Sequence, residues 1–210
     1  METGVAQAAA DYAQEILDAE GFQYVSAVVA NCKMLAAELE EQGEDTGALD
    51  MEALIIAGYL HNISTAAHGY LDHHLRSAEM AVEFLRELDM PTGRISKVEQ
   101  AILTHTIAIA PEQGESVPLE GRILYDADKL GRLSGLSVVT SLIEFGARYP
   151  NRAVTGEMLA AILRHIEERF VDLYQSLYTT PARDRAREKF GNTLAFLDGV
   201  IEHLSDATPV

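Results

Sequence analysis

The sequence predicts an all-α fold, a bundle of roughly eight to nine helices. Three observations predict it. Apolar residues recur at helical spacing along nearly the whole chain, as in Val25, Val28, Val29, Cys32, Leu35 and Ala36, which share one face of a helix. No segment shows the apolar–polar alternation of a half-buried strand. Stretches rich in glycine, proline or charge, such as 42–50 and 90–93, punctuate the periodic runs. With 210 residues and 48% of them hydrophobic, the chain suffices for one domain, 1–210, with its own core.

The elements follow in order. Val5 to Ala19 is Ala-rich and free of β-branched runs, which favours helix. Gly21 is read as an interruption, after which Phe22 to Glu41 forms a second helix. The segment EEQGEDTGALD has no apolar period and is a loop, ending at Asp50 as an N-cap for the next helix. Met51 to His61 (MEALIIAGYLH) is apolar nearly all round, so it belongs in the core, with His61 closing a buried helix. Residues 62–72 are read as loop with a turn at Gly69. His73 or His74 opens a helix running through Leu88, and Met90-Pro91-Thr92-Gly93 breaks it. Ser96 and Glu99 have the spacing of a capping box, predicting a helix start there and an end near Thr106. The stretch IAIAPEQGESVPLE is irregular, with two prolines, and is a candidate lid or rim. Helices are predicted again over 121–130, 134–148 and 155–178, and over 181–204 with Thr180 as cap and Pro181 in the first turn.

Composition restricts the function. The formal net charge is −17, and residues 1–50 carry eleven acidic side chains against Lys33 alone. Such a surface repels nucleic-acid phosphate, which argues against general nucleic-acid binding. A small phosphorylated molecule is still compatible, because a metal ion reverses the field inside a pocket. Cys32 is the only cysteine, so no internal disulfide or cysteine zinc cluster can form; its apolar segment marks it as a buried structural thiol. No basic-then-apolar leader opens the sequence and no apolar run has the length of a membrane span, so a cytoplasmic protein without membrane attachment is expected.

Chemistry concentrates in LHNISTAAHGYLDHHLRSA, residues 60–78, which holds His61, His68, His73 and His74, four of the seven histidines. His105 and the pair Asp126 and Asp128 add to it. Each of these, His68 apart, lies at or near the end of a predicted helix inside an apolar frame, where unpartnered polar groups are costly. They are expected to converge on one another or on a metal. Imidazole with carboxylate suits Fe, Mn, Zn, Co or Ni. His68, in a small-residue loop, reads as a surface residue. The run Arg183, Arg185, Arg187, Lys189 is interleaved with Asp184 and Glu188 and reads as a solvated helix face. His165 and His203 lie in amphipathic helices and receive no role.

The order of these motifs resembles the HD-domain metal-dependent phosphohydrolases, over roughly residues 20–140. GYLHNIS stands where the family has an apolar run ending in His-Asp. HHLRSAEMA is similar to the family's histidine followed by a Ser/Gly-Ala helix start. AILTHT matches a helix ending in a further histidine, and ILYDADKL the segment with the last metal aspartate. The resemblance implies an HD-domain-like bundle, with the helices over 155–204 packed on the motif core or at a homodimer contact. It makes His61, His73, His105 and Asp128 metal ligands, with His74 the second choice to His73. Asn62 and Asp128 take the catalytic positions, and Lys129 would meet substrate phosphate. It implies one or two divalent transition ions and a nucleotide or small phosphoester as substrate. Two positions depart from the pattern. Tyr24 stands where the first histidine belongs, with Ala27 in place of an arginine, and Asn62 replaces the aspartate of His-Asp. Two readings stay open: a phosphohydrolase using metal-activated water, or a degenerate HD module, with or without a metal, that binds a nucleotide or a protein partner without turnover.

Overall fold

A computed structural model describes residues 4–106, 117–132, 135–150 and 155–206. Every regular element among them is helical: α1 (Gly4–Ile16), α2 (Ala19–Glu41), α3 (Met51–Leu60), α4 (Thr65–His68), α5 (His73–Glu87), α6 (Thr92–Thr104), α7 (Leu119–Arg132), α8 (Gly135–Arg148), α9 (Gly156–Gln175) and α10 (Thr180–Asp206). The chain divides into two compact units. The first comprises Met1–Asp128 with Tyr178–Ala182, the second Lys129–Leu177 with Arg183–Val210.

In the first unit α3 is the axis. Ala53, Leu54, Ile55, Ile56, Ala57, Gly58 and Leu60 are all buried, because α1, α2, α5 and α6 pack round it. This explains why a ten-residue helix without an amphipathic face is stable: its neighbours cover it on every side. Asp50 caps it as the sequence predicts, its carboxylate accepting from the Ala53 N–H at 3.1 Å. Gly58 allows the closest approach to α2, since a Cβ there would meet Val29 Cγ2 at 2.7 Å. Tyr12 of α1 stacks on Phe84 of α5 at 4.2 Å between centroids.

Around the start of α3 a charged network joins three elements. Arg94 Nε donates to Asp50 Oδ2 at 2.7 Å, and Arg94 also pairs with Glu52. Buried Glu120 accepts from the Asp50 N–H at 2.9 Å and from Lys97 Nζ at 3.1 Å. Burial, the largest influence on Asp50, would raise its pKa. The hydrogen bonds from Arg94 and Ala53, with the charges of Arg94 and Lys97, outweigh it and hold the carboxyl below its ordinary value.

The second unit is built from α8, α9 and most of α10. Ala160, Leu163, Ile166 and Phe170 form the inner stripe of α9, and Tyr174 stacks on Phe190 of α10 at 4.4 Å between centroids. Arg187 pairs with Asp184 at 3.0 Å on an exposed face, and Arg183 Nε donates to the Leu177 carbonyl at 2.9 Å. Arg183, Arg185, Arg187 and Lys189 are all exposed, in keeping with a solvated helix face.

Several boundaries differ from those the sequence predicts. Gly21 does not interrupt: it lies in the first turn of α2, where its N–H donates to the Asp18 cap at 2.7 Å. The 62–72 segment contains the short helix α4. Ser96 and Glu99 do not start a helix, because Pro91 already does. Its carbonyl accepts from the Arg94 and Ile95 N–H groups at 2.9 and 3.1 Å, placing Ser96 inside α6. The Ala182 N–H donates to Thr179 Oγ1 at 3.4 Å, so Thr179 rather than Thr180 caps α10. Most of the candidate lid, 107–116, lies outside the described residues.

Candidate metal centre

The histidines occupy helix ends, where the backbone still has carbonyls to offer. His61 follows the last residue of α3 and is fully buried, with Nδ1 donating to the Gly58 carbonyl at 2.8 Å. His105 follows α6 and is also buried, with Nδ1 donating to Ile102 O at 2.5 Å. His73 opens α5, with Nδ1 donating to Tyr70 O at 2.8 Å. A carbonyl only accepts, so each Nδ1 carries the proton and each Nε2 of a neutral ring presents a lone pair. Anchoring one ring nitrogen in this way fixes the tautomer and aims the other as a ligand.

Two of those ε-nitrogens face each other, and the third faces a carboxylate. His73 Nε2 lies 3.3 Å from His105 Nε2, and His61 Nε2 lies 3.9 Å from Asp128 Oδ1. The rings of His61 and His105 are edge-on, 5.0 Å between centroids, as are His73 and His105 at 5.3 Å. Two imidazoles sharing a cation at about 2.0–2.1 Å bring their nitrogens within about 3.0–3.4 Å of each other, so the His73–His105 pair already has that spacing. His74 is half-buried, its ring 5.9 Å from that of His73.

A buried serine pair supports this corner. The Ser64 N–H donates to Ser77 Oγ at 3.2 Å, Ser77 Oγ donates to Ser64 Oγ at 2.9 Å, and Ser64 Oγ donates to the His73 carbonyl at 3.0 Å. Ser64 was not legible as a site residue; its only sequence signal is its place three residues after His61.

The two aspartates of α7 diverge. Asp128 accepts a short hydrogen bond from the phenol of Tyr24, through the same Oδ1 that faces His61. Asp126, fully buried, accepts instead from the Tyr178 N–H at 2.8 Å, the Thr179 N–H at 2.7 Å and Thr179 Oγ1 at 2.6 Å. Asn31 Nδ2 donates to the Ala127 carbonyl between them at 3.2 Å, tying α2 to α7. Cys32 lies near both acids. Burial first, then the charges of Asp128 and Asp126, push its thiol well above the usual range.

Asn62 is 4% exposed, and its Oδ1 has no hydrogen-bond partner among the described residues. Lys129 is buried and follows Asp128 on α7. His68 is exposed at the end of α4, and His165 and His203 are exposed.

The donor chemistry suits a divalent transition ion: three imidazoles with fixed tautomers and one carboxylate. The spacing falls short of one closed cage. Among the described residues no three His, Cys, Asp or Glu side chains are placed to hold an ion together. What the fold builds is two neighbouring pairs, His73 with His105 and His61 with Asp128.

No curated protein matches the sequence. Among solved structures, the Lin1889 protein from Listeria innocua is similar at 14% identity with a TM-score of 0.71, covering 97% of each chain. An HD-superfamily hydrolase from Bacillus thuringiensis is similar at 17% identity and a TM-score of 0.68, covering 97% of this chain and 98% of its own. YpgQ from Bacillus subtilis, solved in complex with ADP, is similar at 16% identity and a TM-score of 0.67, covering 94% and 93%. At such identities the likeness shows a shared fold. The HD domain family matches residues 25–133, more than half of the chain and the stretch that carries every histidine and aspartate of the centre, so this protein belongs to the HD-domain family.

Proposed function

We propose that the protein is a metal-dependent phosphohydrolase acting on a nucleotide or small phosphoester. One observation carries the reading: three imidazoles are each anchored through Nδ1 to a backbone carbonyl, with the ε-nitrogens of His73 and His105 facing one another and that of His61 facing Asp128. His61, His73, His105 and Asp128 would hold the ion, with His74 as the second choice to His73. A bound divalent ion supplies a water of lowered pKa and an electrostatic clamp for phosphoryl oxygen. The chain's own part is to orient that water and exclude the bulk. Buried Asn62 offers a neutral acceptor, Oδ1, where a carboxylate would add charge. Lys129, the residue after Asp128, supplies the cation that a phosphate needs. The ADP held by YpgQ supports a nucleotide as the class of substrate. Buried, unpaired Cys32 and the lack, among the described residues, of a helix able to cross a membrane support a cytoplasmic setting.

A second reading has its own observation. With an amide at Asn62 in place of a carboxylate, the centre holds less negative charge than a His-Asp site, and its Asp128 is already engaged by the Tyr24 phenol, as befits a module that binds without turnover. Elemental analysis of the native protein and of His61→Ala, followed by a screen of nucleotides and phosphoesters, separates the two. The hydrolase reading expects about one transition ion per chain or more, lost in the variant, with phosphate released from at least one substrate. Metal bound without turnover favours the binding module. No metal after incubation with Mn, Fe, Co, Ni or Zn would sink the hydrolase.

A further inference from the structure

The three oxygen-bearing side chains of the expected constellation, Asp126, Asn62 and Asp128, differ in what they offer the imidazoles. Asp126 turns away from them, its two oxygens accepting three hydrogen bonds from Tyr178 and Thr179. Asn62 carries an amide in place of a carboxylate. Asp128 remains, and the oxygen it directs at His61 is the one that takes the Tyr24 phenol. An ion reaching for Asp128 Oδ1 must therefore displace that hydrogen bond or share the oxygen with it. The imidazoles, by contrast, direct their proton-bearing nitrogens to backbone carbonyls.

We propose that Tyr24 is a built-in competitor for the metal carboxylate, and that it makes this centre discriminate against oxygen-favouring ions. The proposal rests on the reading that the cluster takes a metal. Manganese and magnesium gain most of their binding from carboxylate oxygen, whereas zinc, cobalt and nickel bind well to imidazole. Holding Asp128 on a phenol thus weakens manganese more than zinc. Hydrogen bonds to charged groups correspond to roughly ten- to a hundredfold in an equilibrium constant, and that range sets the expected effect. Tyr24 is a positioning residue here: it acts on the ion through Asp128.

Calorimetric titration of the full chain with Mn(II) and, separately, Zn(II) tests this in the wild type, Tyr24→Phe, and Tyr24→Phe with Asp128→Asn. Tyr24→Phe removes one hydroxyl and keeps the ring. It should tighten manganese roughly tenfold, tighten zinc less, and so lower the zinc-to-manganese preference. The gain should vanish in the double variant, because it passes through Asp128. Manganese binding that is unchanged or weaker in Tyr24→Phe would overturn the proposal. So would a gain that survives Asp128→Asn, or a phenolate difference band in the wild type on adding metal, which would make Tyr24 a ligand. Should Tyr24→Phe unfold, Tyr24→Leu, which also lacks the hydroxyl, carries the same expectations. Zinc bound by the wild type with no effect of Tyr24→Phe defeats this proposal alone. If neither ion binds any of the three proteins, the metal reading of the centre falls with it.

Discussion

Asp126 and Thr179 are 53 residues apart in sequence and doubly bonded, the carboxylate Oδ2 accepting both the Thr179 N–H at 2.7 Å and its hydroxyl at 2.6 Å. The other oxygen takes the Tyr178 N–H at 2.8 Å. This buried clasp fastens residues 178–182 into the first unit, and Thr179 then caps α10 through the Ala182 N–H.

Removing the clasp exposes two backbone donors and a hydroxyl to an apolar surrounding. Asp126→Ala should cost about 3 kcal/mol or more of stability. Asp126→Asn, which keeps one acceptor oxygen but presents an amide to the other donors, should cost about half as much. Denaturant unfolding of the two variants checks this. An Asp126→Ala protein as stable as the wild type would mean that the 178–182 segment finds other partners.

Gly58 joins two requirements: its carbonyl accepts from His61 Nδ1, and its missing side chain lets α3 lie against Val29. Gly58→Ala should destabilise the fold by about 1–3 kcal/mol, as overpacking does. Val29→Ala in the same chain should recover part of that loss, since it removes the Cγ2 that the new methyl meets at 2.7 Å. The two changes should thus be non-additive in a double-mutant cycle.

The Arg94–Asp50 pair predicts an acid-sensitive step. The folded pKa of Asp50 lies below its unfolded value, so the unfolded state takes up the proton first as pH falls. The contribution is complete above the ordinary aspartate pKa of about 3.9 and is lost as pH drops through the lower folded value. Thermal midpoints measured between about pH 5 and pH 2 should fall less steeply in Arg94→Gln than in the wild type. Parallel curves would remove Asp50 from the account.

His73 and His74 compete for one role, and geometry separates them. His73 Nε2 faces His105 Nε2 at 3.3 Å, while His74 contributes only a ring 5.9 Å from His73. In the proposed metal centre, His73→Ala should weaken zinc binding roughly ten- to a hundredfold and His74→Ala less than threefold. Equal losses would show that the two rings exchange places.

Much of this architecture was legible in the residues. The all-apolar run of α3 called for burial on every side, and the structure supplies it with four surrounding helices. The positions of His61 and His105 at helix ends follow from periodicity alone, which is a property of neighbours in sequence. Where local signals compete, the sequence leaves the boundary open. Ser96 and Glu99 imitate a helix start, yet Pro91 acts first; Gly21 looks like a breaker, yet Asp18 caps the turn that contains it.

The sequence by itself determined the helices, their order and the set of polar residues that had to find partners inside. Only the tertiary structure decided which partner each one found. Asp126 and Asp128 lie two residues apart on α7, so helical geometry turns them to different sides. That much is local. That one closes on Thr179, 53 residues downstream, and the other on Tyr24, 104 residues upstream, depends on which helices pack against those sides. Periodicity identifies the buried face, but a hydrogen bond is made by whatever group the packing of distant segments brings within about 3 Å.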